Sequence, residues 1–144
     1  MLFGRKKRAI NHILIVEDEP LVAFDNEHFL RESGYMIAGT VDHADEAIAA
    51  IGRVTIDLVL ADVNLSDGGN GIDVARAAHA RGIAVLFVSG NCPGEAKKLA
   101  VGCLAKPYLQ RTLRAAIEAI DLSLRGGTPR RLPPGFTLFA DEAV

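Results

Sequence analysis

The feature that most constrains the fold of this chain is a short run, Ile56–Ala61, that ends on the carboxylate of Asp62. A run of this length, rich in Val and Leu, is typical of a strand that is buried on both faces of a parallel sheet. Asp62 then lies at the carboxyl end of that strand. Ligands of open α/β sheets bind at this edge. We therefore expect the chemistry of the chain to lie at the carboxyl ends of its strands.

The rest of the chain alternates between short apolar runs and stretches with helical spacing. The pattern predicts strands at 12–16, 35–41, 56–62, 83–88 and 102–105, and helices at 20–34, 44–51, 72–81, 95–100 and 108–124. Strands that alternate with helices imply a parallel sheet with right-handed crossovers. The sequence thus predicts an α/β fold, a doubly wound five-stranded parallel sheet of the flavodoxin-like type with strand order 2-1-3-4-5.

Charge divides the 144 residues into three parts. Residues 1–10 form a basic N-terminal arm, and residues 125–144 form a tail rich in Pro and Gly. Residues 11–124 hold 9 Lys and Arg against 16 Asp and Glu, a net charge of −7. Because this domain is acidic, and nothing after Leu124 suits a helix-turn-helix, we expect no direct DNA binding. No apolar run approaches the ~20 residues of a membrane span, so we expect no membrane association.

The cysteines and the tail give two further expectations. Cys92 and Cys103 fit no zinc or redox motif, which favours a reducing, cytoplasmic location. Phe136 and Phe139 follow a Pro- and Gly-rich stretch. Residues 125–135 are therefore expected to be flexible. Because exposed aromatic side chains are costly in a free tail, Phe136, Leu138 and Phe139 could still dock on a sheet edge or on a neighbouring molecule.

Five polar side chains are expected to converge at the carboxyl edge of the sheet. Glu17 and Asp18 follow the first strand, Asp62 ends the third, Ser89 follows the fourth and Lys106 follows the fifth. Three carboxylates repel one another, by ~4 kcal/mol for a pair ~4 Å apart at an effective dielectric of ~20, so the cluster needs a cation. An all-oxygen site suits Mg²⁺. With a lysine and a hydroxyl nearby, the group suits phosphoryl transfer to Asp62.

Four segments resemble the signatures of response-regulator receiver domains, and the likeness covers about residues 11–124. The segments are Ile13–Pro20, Leu58–Asp62, Phe87–Gly90 and Ala105–Tyr108. The resemblance implies that a sensor histidine kinase or a histidine phosphotransfer protein phosphorylates this domain. The domain would act as a phosphoacceptor rather than an enzyme, with only autocatalytic phosphorylation and dephosphorylation, and would signal through protein–protein contacts.

The same resemblance assigns a role to each residue of the site. Asp62 would accept the phosphoryl group, and Lys106 and Ser89 would contact it. Asp18 and Asp62 would bind Mg²⁺ directly, with the backbone carbonyl of Asn64, while Glu17 would act through a metal-bound water. The peptide bond from Lys106 to the following proline is usually cis in this family.

Two departures from the family pattern affect the expected output. The interval from Ser89 to Lys106 is shorter than in most receivers, and Cys103 replaces the usual aromatic of the fifth strand. The short interval and the segment Phe87–Gly90 are similar to an atypical alphaproteobacterial group of receivers with a Phe-Ala-Thr-Gly signature. The loop Leu65–Gly68 also resembles receivers of general stress pathways. We expect output by ordering of residues 90–101, through a partner surface at 90–110 and the last helix.

Three other functions are considered from the residues. A receiver-like module that docks partners without phosphorylation would need none of the site chemistry. A magnesium-dependent phosphatase with an Asp nucleophile would need a second Asp where Asn64 stands. A flavin binder would need a loop rich in Ser, Thr and Gly where the sequence has Glu17–Pro20, which would repel phosphate.

Overall fold

The structure is a computed structural model that describes residues 7–65, 70–92 and 94–139. Its elements are β1 His12–Val16, α1 Pro20–Glu32, β2 Met36–Val41, α2 Ala44–Ile51, β3 Leu58–Asp62, α3 Gly71–Ala80, β4 Ala84–Ser89, α4 Ala96–Leu99, β5 Gly102–Ala105, α5 Gln110–Leu124 and β6 Phe136–Leu138. The predicted alternation of strands and helices is confirmed. Within the described ranges, every helix is too short or too polar to cross a lipid bilayer.

The sheet has the strand order β2-β1-β3-β4-β5-β6. Strands β1 to β5 are parallel, which confirms the predicted doubly wound fold and its order 2-1-3-4-5. The sixth strand, β6, pairs antiparallel with β5. The tail residues Phe136–Leu138 therefore dock on the sheet edge, one of the two places expected for them. By doing so they cover the edge of β5, whose backbone groups would otherwise lack a partner strand.

The central strand β3 is buried along its whole length. Leu58 and Leu60 face the layer of α1 and α5, whereas Val59 and Ala61 face the layer of α2 and α3. This alternation follows from the two-residue period of a strand. Because apolar side chains pack on both faces of β3, the carboxylate of Asp62 at its end is held in a fixed position.

Two glycines permit close approaches that a side chain would block. A Cβ added at Gly71 would overlap the carbonyl oxygen of Asp62 and come within 2.9 Å of the Cα of Val63. A Cβ added at Gly102 would come within 2.7 Å of the ring of Phe136. Gly71 thus lets α3 begin directly beside the end of β3, and Gly102 lets β6 pack against β5.

The connection from β4 to β5 differs from the sequence-based expectation. Its helix, α4, has four residues instead of the predicted span of 95–100. Cys92 and Cys103 are joined by a disulfide, which the sequence analysis did not predict because their spacing matches no motif. The reason is geometric: Phe87 of β4 lies beside Cys103 of β5, and the short connection brings Cys92 back to within reach.

Candidate functional site

Three carboxylates meet at the carboxyl edge of the sheet. Glu17 and Asp62 are buried and Asp18 is half-buried. Each offers an oxygen that lies within 4.8 Å of those of the other two. Glu17 and Asp18 come from the end of β1, and Asp62 from the end of β3, which pair side by side. The structure therefore brings together the acidic residues that the sequence singled out.

Lys106 places its ammonium group among these carboxylates. Its Nζ lies 2.7 Å from Oδ2 of Asp62, 3.4 Å from Oε1 of Glu17 and 3.5 Å from Oε1 of Glu19. Burial lowers the pKa of Lys106, but the hydrogen bond to Asp62 and the charges of Glu17 and Asp62 outweigh it, so the net pKa is raised. The side chain therefore stays cationic at neutral pH. The peptide bond to Pro107 is cis, as expected.

Glu17 is the most deeply buried member of the cluster, with 3% of its surface exposed. Burial is the largest influence on this carboxyl and raises its pKa. The backbone N–H of Glu19, which donates to Oε2 at 3.1 Å, and the charge of Lys106 act the other way and lower the pKa. One lysine thus only partly compensates the negative charge of the cluster.

The donor set fits a magnesium ion. The cluster supplies carboxylate oxygens only, which are the ligands of hard divalent cations. The backbone N–H of Asn64 donates to Oδ1 of Asp62 at 2.9 Å, and this bond holds the Asn64 backbone next to the acceptor carboxylate. Glu17, Asp18, Asp62 and the carbonyl of Asn64 are therefore the groups that could hold such an ion.

Ser89, the last residue of β4, is buried, and its hydroxyl is engaged within its own loop. The hydroxyl donates to the carbonyl of Asn91 at 2.8 Å and accepts from the N–H of Asn91 at 3.1 Å. Val88 lies beside Asp62 in the β3–β4 pairing, so Ser89 follows one residue beyond the acceptor. The Ser89 side chain must exchange these bonds before it can contact a group on Asp62.

A polar network beside the cluster was missed by the sequence analysis. The amide of Asn26 in α1 donates to the Tyr108 hydroxyl at 2.9 Å, and Gln110 donates to the Asn26 side-chain oxygen at 3.1 Å. Burial raises the pKa of Tyr108. The available signal was Asn26 itself, a polar residue on the buried helix face that Ala23 and Leu30 share. These residues line a cleft of about 460 Å³, which is bounded by Glu19, Val22, Asp25, Asn26, Lys106, Pro107, Tyr108 and Gln110.

Most of one sequence feature lies outside the described residues. The loop Leu65–Gly68, which resembles receivers of general stress pathways, has only Leu65 within the described residues. Leu65 is buried in the core layer formed with α2 and α3.

The family model described as response regulator receiver domain matches residues 13–118. Among curated proteins, the phyllosphere-induced regulator PhyR of Methylorubrum extorquens is 32% identical over 123 residues, which cover 80% of this chain and 46% of that protein. The chain thus spans about half the length of this curated relative. Two further curated relatives, transcriptional regulatory proteins of Escherichia coli and Bacillus subtilis, are each 32% identical and are covered over 35% and 48% of their lengths.

Solved structures agree with this match. A CheY-like response regulator receiver domain protein from Methanospirillum hungatei is 25% identical with a TM-score of 0.72, and the likeness covers 82% of this chain and 99% of that chain. The response regulator PhyR from Brucella abortus is 26% identical with a TM-score of 0.68, over 83% of this chain and 51% of that chain.

Proposed function

This chain belongs to the response regulator receiver domain family, and from that premise we propose that Asp62 accepts a phosphoryl group from a sensor histidine kinase or a histidine phosphotransfer protein. The observation that carries the proposal is the contact of 2.7 Å between Lys106 Nζ and Asp62 Oδ2 inside a cluster of three carboxylates. This arrangement offers a nucleophilic carboxylate with a cation beside it. The protein turns over its own acyl phosphate and no other substrate.

In the proposed reaction an oxygen of Asp62 attacks phosphorus, the bond from phosphorus to the donor imidazole breaks, and the imidazole leaves. Mg²⁺, when bound, supplies positive charge to the phosphoryl oxygens. Asp18, Asp62 and the Asn64 carbonyl would hold the ion directly, and Glu17 would act through a metal-bound water. Lys106, already charged and next to Asp62, moves its ammonium group to an incoming phosphoryl oxygen.

The signal leaves the domain through the connection from β4 to β5. When Ser89 hydrogen-bonds the phosphoryl group, its hydroxyl gives up the carbonyl of Asn91, and the phosphoryl group instead fixes Gly90 and Asn91 and orders the backbone of residues 90–101. The downstream partner is a protein that contacts residues 90–110 and the outer face of α5. We propose a cytoplasmic location without direct DNA or membrane binding, and the acidic charge of residues 11–124 argues against DNA as a ligand.

The acceptor assignment is tested by incubating the protein with Mg²⁺ and a small phosphodonor such as phosphoramidate. We expect one acid-labile phosphoryl group on Asp62 by mass spectrometry, and none in Asp62→Asn. Asp73→Asn, which removes an exposed acid of α3, is the matched control and should label normally. Label that persists in Asp62→Asn, or that is acid-stable on a serine, would contradict the proposal. No label in the native protein would instead favour a docking module.

The metal assignment is tested in the same assay. Chelation of Mg²⁺ should stop labelling, because the carboxylates then repel the incoming anion. Asp18→Ala should abolish Mg²⁺ binding, whereas loss of Glu17, which acts through water, should only weaken it. Equal labelling with and without chelator would show that the cluster does not work through a metal.

A further inference from the structure

The disulfide joins an exposed cysteine to a buried one. Cys92 lies just after β4 and is exposed, whereas Cys103 in β5 has 1% of its surface exposed. Their Cα atoms are 6.4 Å apart, a separation that a disulfide can span without backbone movement. Among the described residues neither cysteine is free.

The bond closes a segment that has few fully buried side chains. We call residues 90–101 the β4–β5 connection. Among its described residues, Ala96 and Ala100 are buried in the same core layer as Phe87 and Cys103, and Leu99 and Val101 are partly buried against the core. Most other described residues of the connection are exposed. The disulfide adds a covalent tie between this connection and β5 to this modest apolar packing.

We propose that Cys92 and Cys103 form a reversible dithiol–disulfide pair, a modification site for small-molecule disulfides such as oxidised glutathione, whose closure clamps the β4–β5 connection onto β5. For a protein in the cytoplasm, the location proposed above, a disulfide is in general transient, catalytic or redox-sensing rather than structural. The unequal exposure of the two cysteines suits this exchange, because the exposed Cys92 can meet a small disulfide and the buried Cys103 cannot.

The reaction proceeds by two thiol–disulfide exchanges. In the reduced protein the thiolate of Cys92 attacks one sulfur of the small disulfide, whose sulfur–sulfur bond breaks and releases one thiolate. The thiolate of Cys103 then attacks the Cys92 sulfur, closes the internal bond and releases the second thiolate. Each thiolate takes a proton given up by a cysteine, so two protein thiols are oxidised while one disulfide is reduced to two thiols. Cys103 is too buried to meet the small disulfide first.

The clamp would control the response to phosphorylation, and this consequence rests on the proposed function. Asn91, which holds the hydroxyl of Ser89, is adjacent to Cys92. With the bond closed, the backbone at Asn91 is tied to β5, and the Ser89 hydroxyl keeps its hydrogen bonds with Asn91. With the bond open, Ser89 can exchange Asn91 for the phosphoryl group.

The pair is tested on the full chain by thiol counting. Protein reduced with dithiothreitol and then freed of it should show two alkylatable thiols after denaturation, and oxidised glutathione should remove both together. Cys103→Ala should instead trap a stable mixed disulfide on Cys92, and Cys92→Ser should keep Cys103 as an unmodified thiol. Two thiols that survive oxidised glutathione in the native chain, or a mixed disulfide on Cys92 that never closes, would overturn the proposal.

Amide exchange tests the clamp separately from the proposed function. Exchange of residues 90–101 should be at least several-fold slower in the oxidised protein than in the reduced protein, and equal exchange would overturn the clamp. The phosphate mimic beryllofluoride with Mg²⁺ should slow exchange in this connection only in the reduced form. If thiol counting succeeds but beryllofluoride changes neither form, the redox pair stands and the proposed coupling to Ser89 is refuted.

Discussion

Two parts of the same sheet edge are held in place in different ways. The acidic cluster lies at the ends of β1 and β3, whose side chains are packed on both faces of the sheet. Lys106 forms an ion pair with Asp62 of this cluster. The β4–β5 connection next to it is mostly exposed, has a four-residue helix and is tied by a disulfide. The difference matches two tasks. Phosphoryl transfer needs groups that are already positioned, whereas an output segment must have a second arrangement of similar free energy.

The largest effect is expected from removing the cation of the cluster. Lys106→Met should lower the free energy of unfolding by about 3 kcal/mol without divalent cations, because buried carboxylates lose their partner. This is the low end for a broken buried pair, since the Lys106 side chain is 24% exposed. Urea unfolding measures the change. Lys97→Met, which alters an exposed lysine of α4, is the control and should stay within about 0.5 kcal/mol. A similar loss in both variants would mean that Lys106 is no more critical than a surface lysine.

The cluster was predictable from sequence because its signals are local. An apolar run that ends on Asp62 identifies both a buried strand and the residue at its end. Parallel pairing then places the ends of β1 and β3 at one edge without knowledge of any tertiary contact. The same reasoning placed Lys106 after β5, and its contacts with Glu17 and Asp62 follow from that position.

The features that the sequence analysis missed or left open depend on distances that no local pattern encodes. The pairing of Cys92 with Cys103 follows from the length of the return from β4 to β5, not from a spacing motif. The docking of Phe136 on β5, rather than on a neighbouring molecule, depends on the absence of a side chain at Gly102. The contact of Asn26 with Tyr108 depends on how α1 lies against the start of α5.

A smaller effect is expected in the β4–β5 connection. Ser89→Ala should cost about 1 kcal/mol of stability, because the hydroxyl makes two hydrogen bonds with Asn91. Amide exchange should become faster in residues 90–101 while the amides of β3 keep their protection. Ser123→Ala, at an exposed position of α5, serves as the control. Equal loss of protection in β3 would show that the connection and the cluster open as one unit.

The smallest effect concerns the pH dependence of the cluster, through Glu17. Burial raises the pKa of Glu17 in the folded protein above 4.5, so the folded state holds this proton more tightly than the unfolded state. Its contribution to stability is therefore present below pH 4.5 and is lost as the pH rises through the folded-state pKa. Glu17→Gln cannot ionise and keeps an acceptor for the N–H of Glu19. In the absence of Mg²⁺, the variant should gain stability relative to the native protein as the pH rises across this range.

Glu27 provides the matched control, because its pKa is shifted in the opposite direction. Hydrogen bonds from Thr40 and Arg31 lower the pKa of Glu27, so its contribution is present above pH 4.5 and is lost as the pH falls through the folded-state value. Glu27→Gln should therefore lose stability relative to the native protein at neutral pH, where Glu17→Gln gains it. Urea unfolding at a series of pH values, with chelator, measures both. Added Mg²⁺ should reverse the sign for Glu17→Gln only, since the ion favours the ionised carboxylate in the cluster and has no such group to bind at Glu27. If Mg²⁺ shifts both variants alike, the charge of Glu17 does not serve the metal.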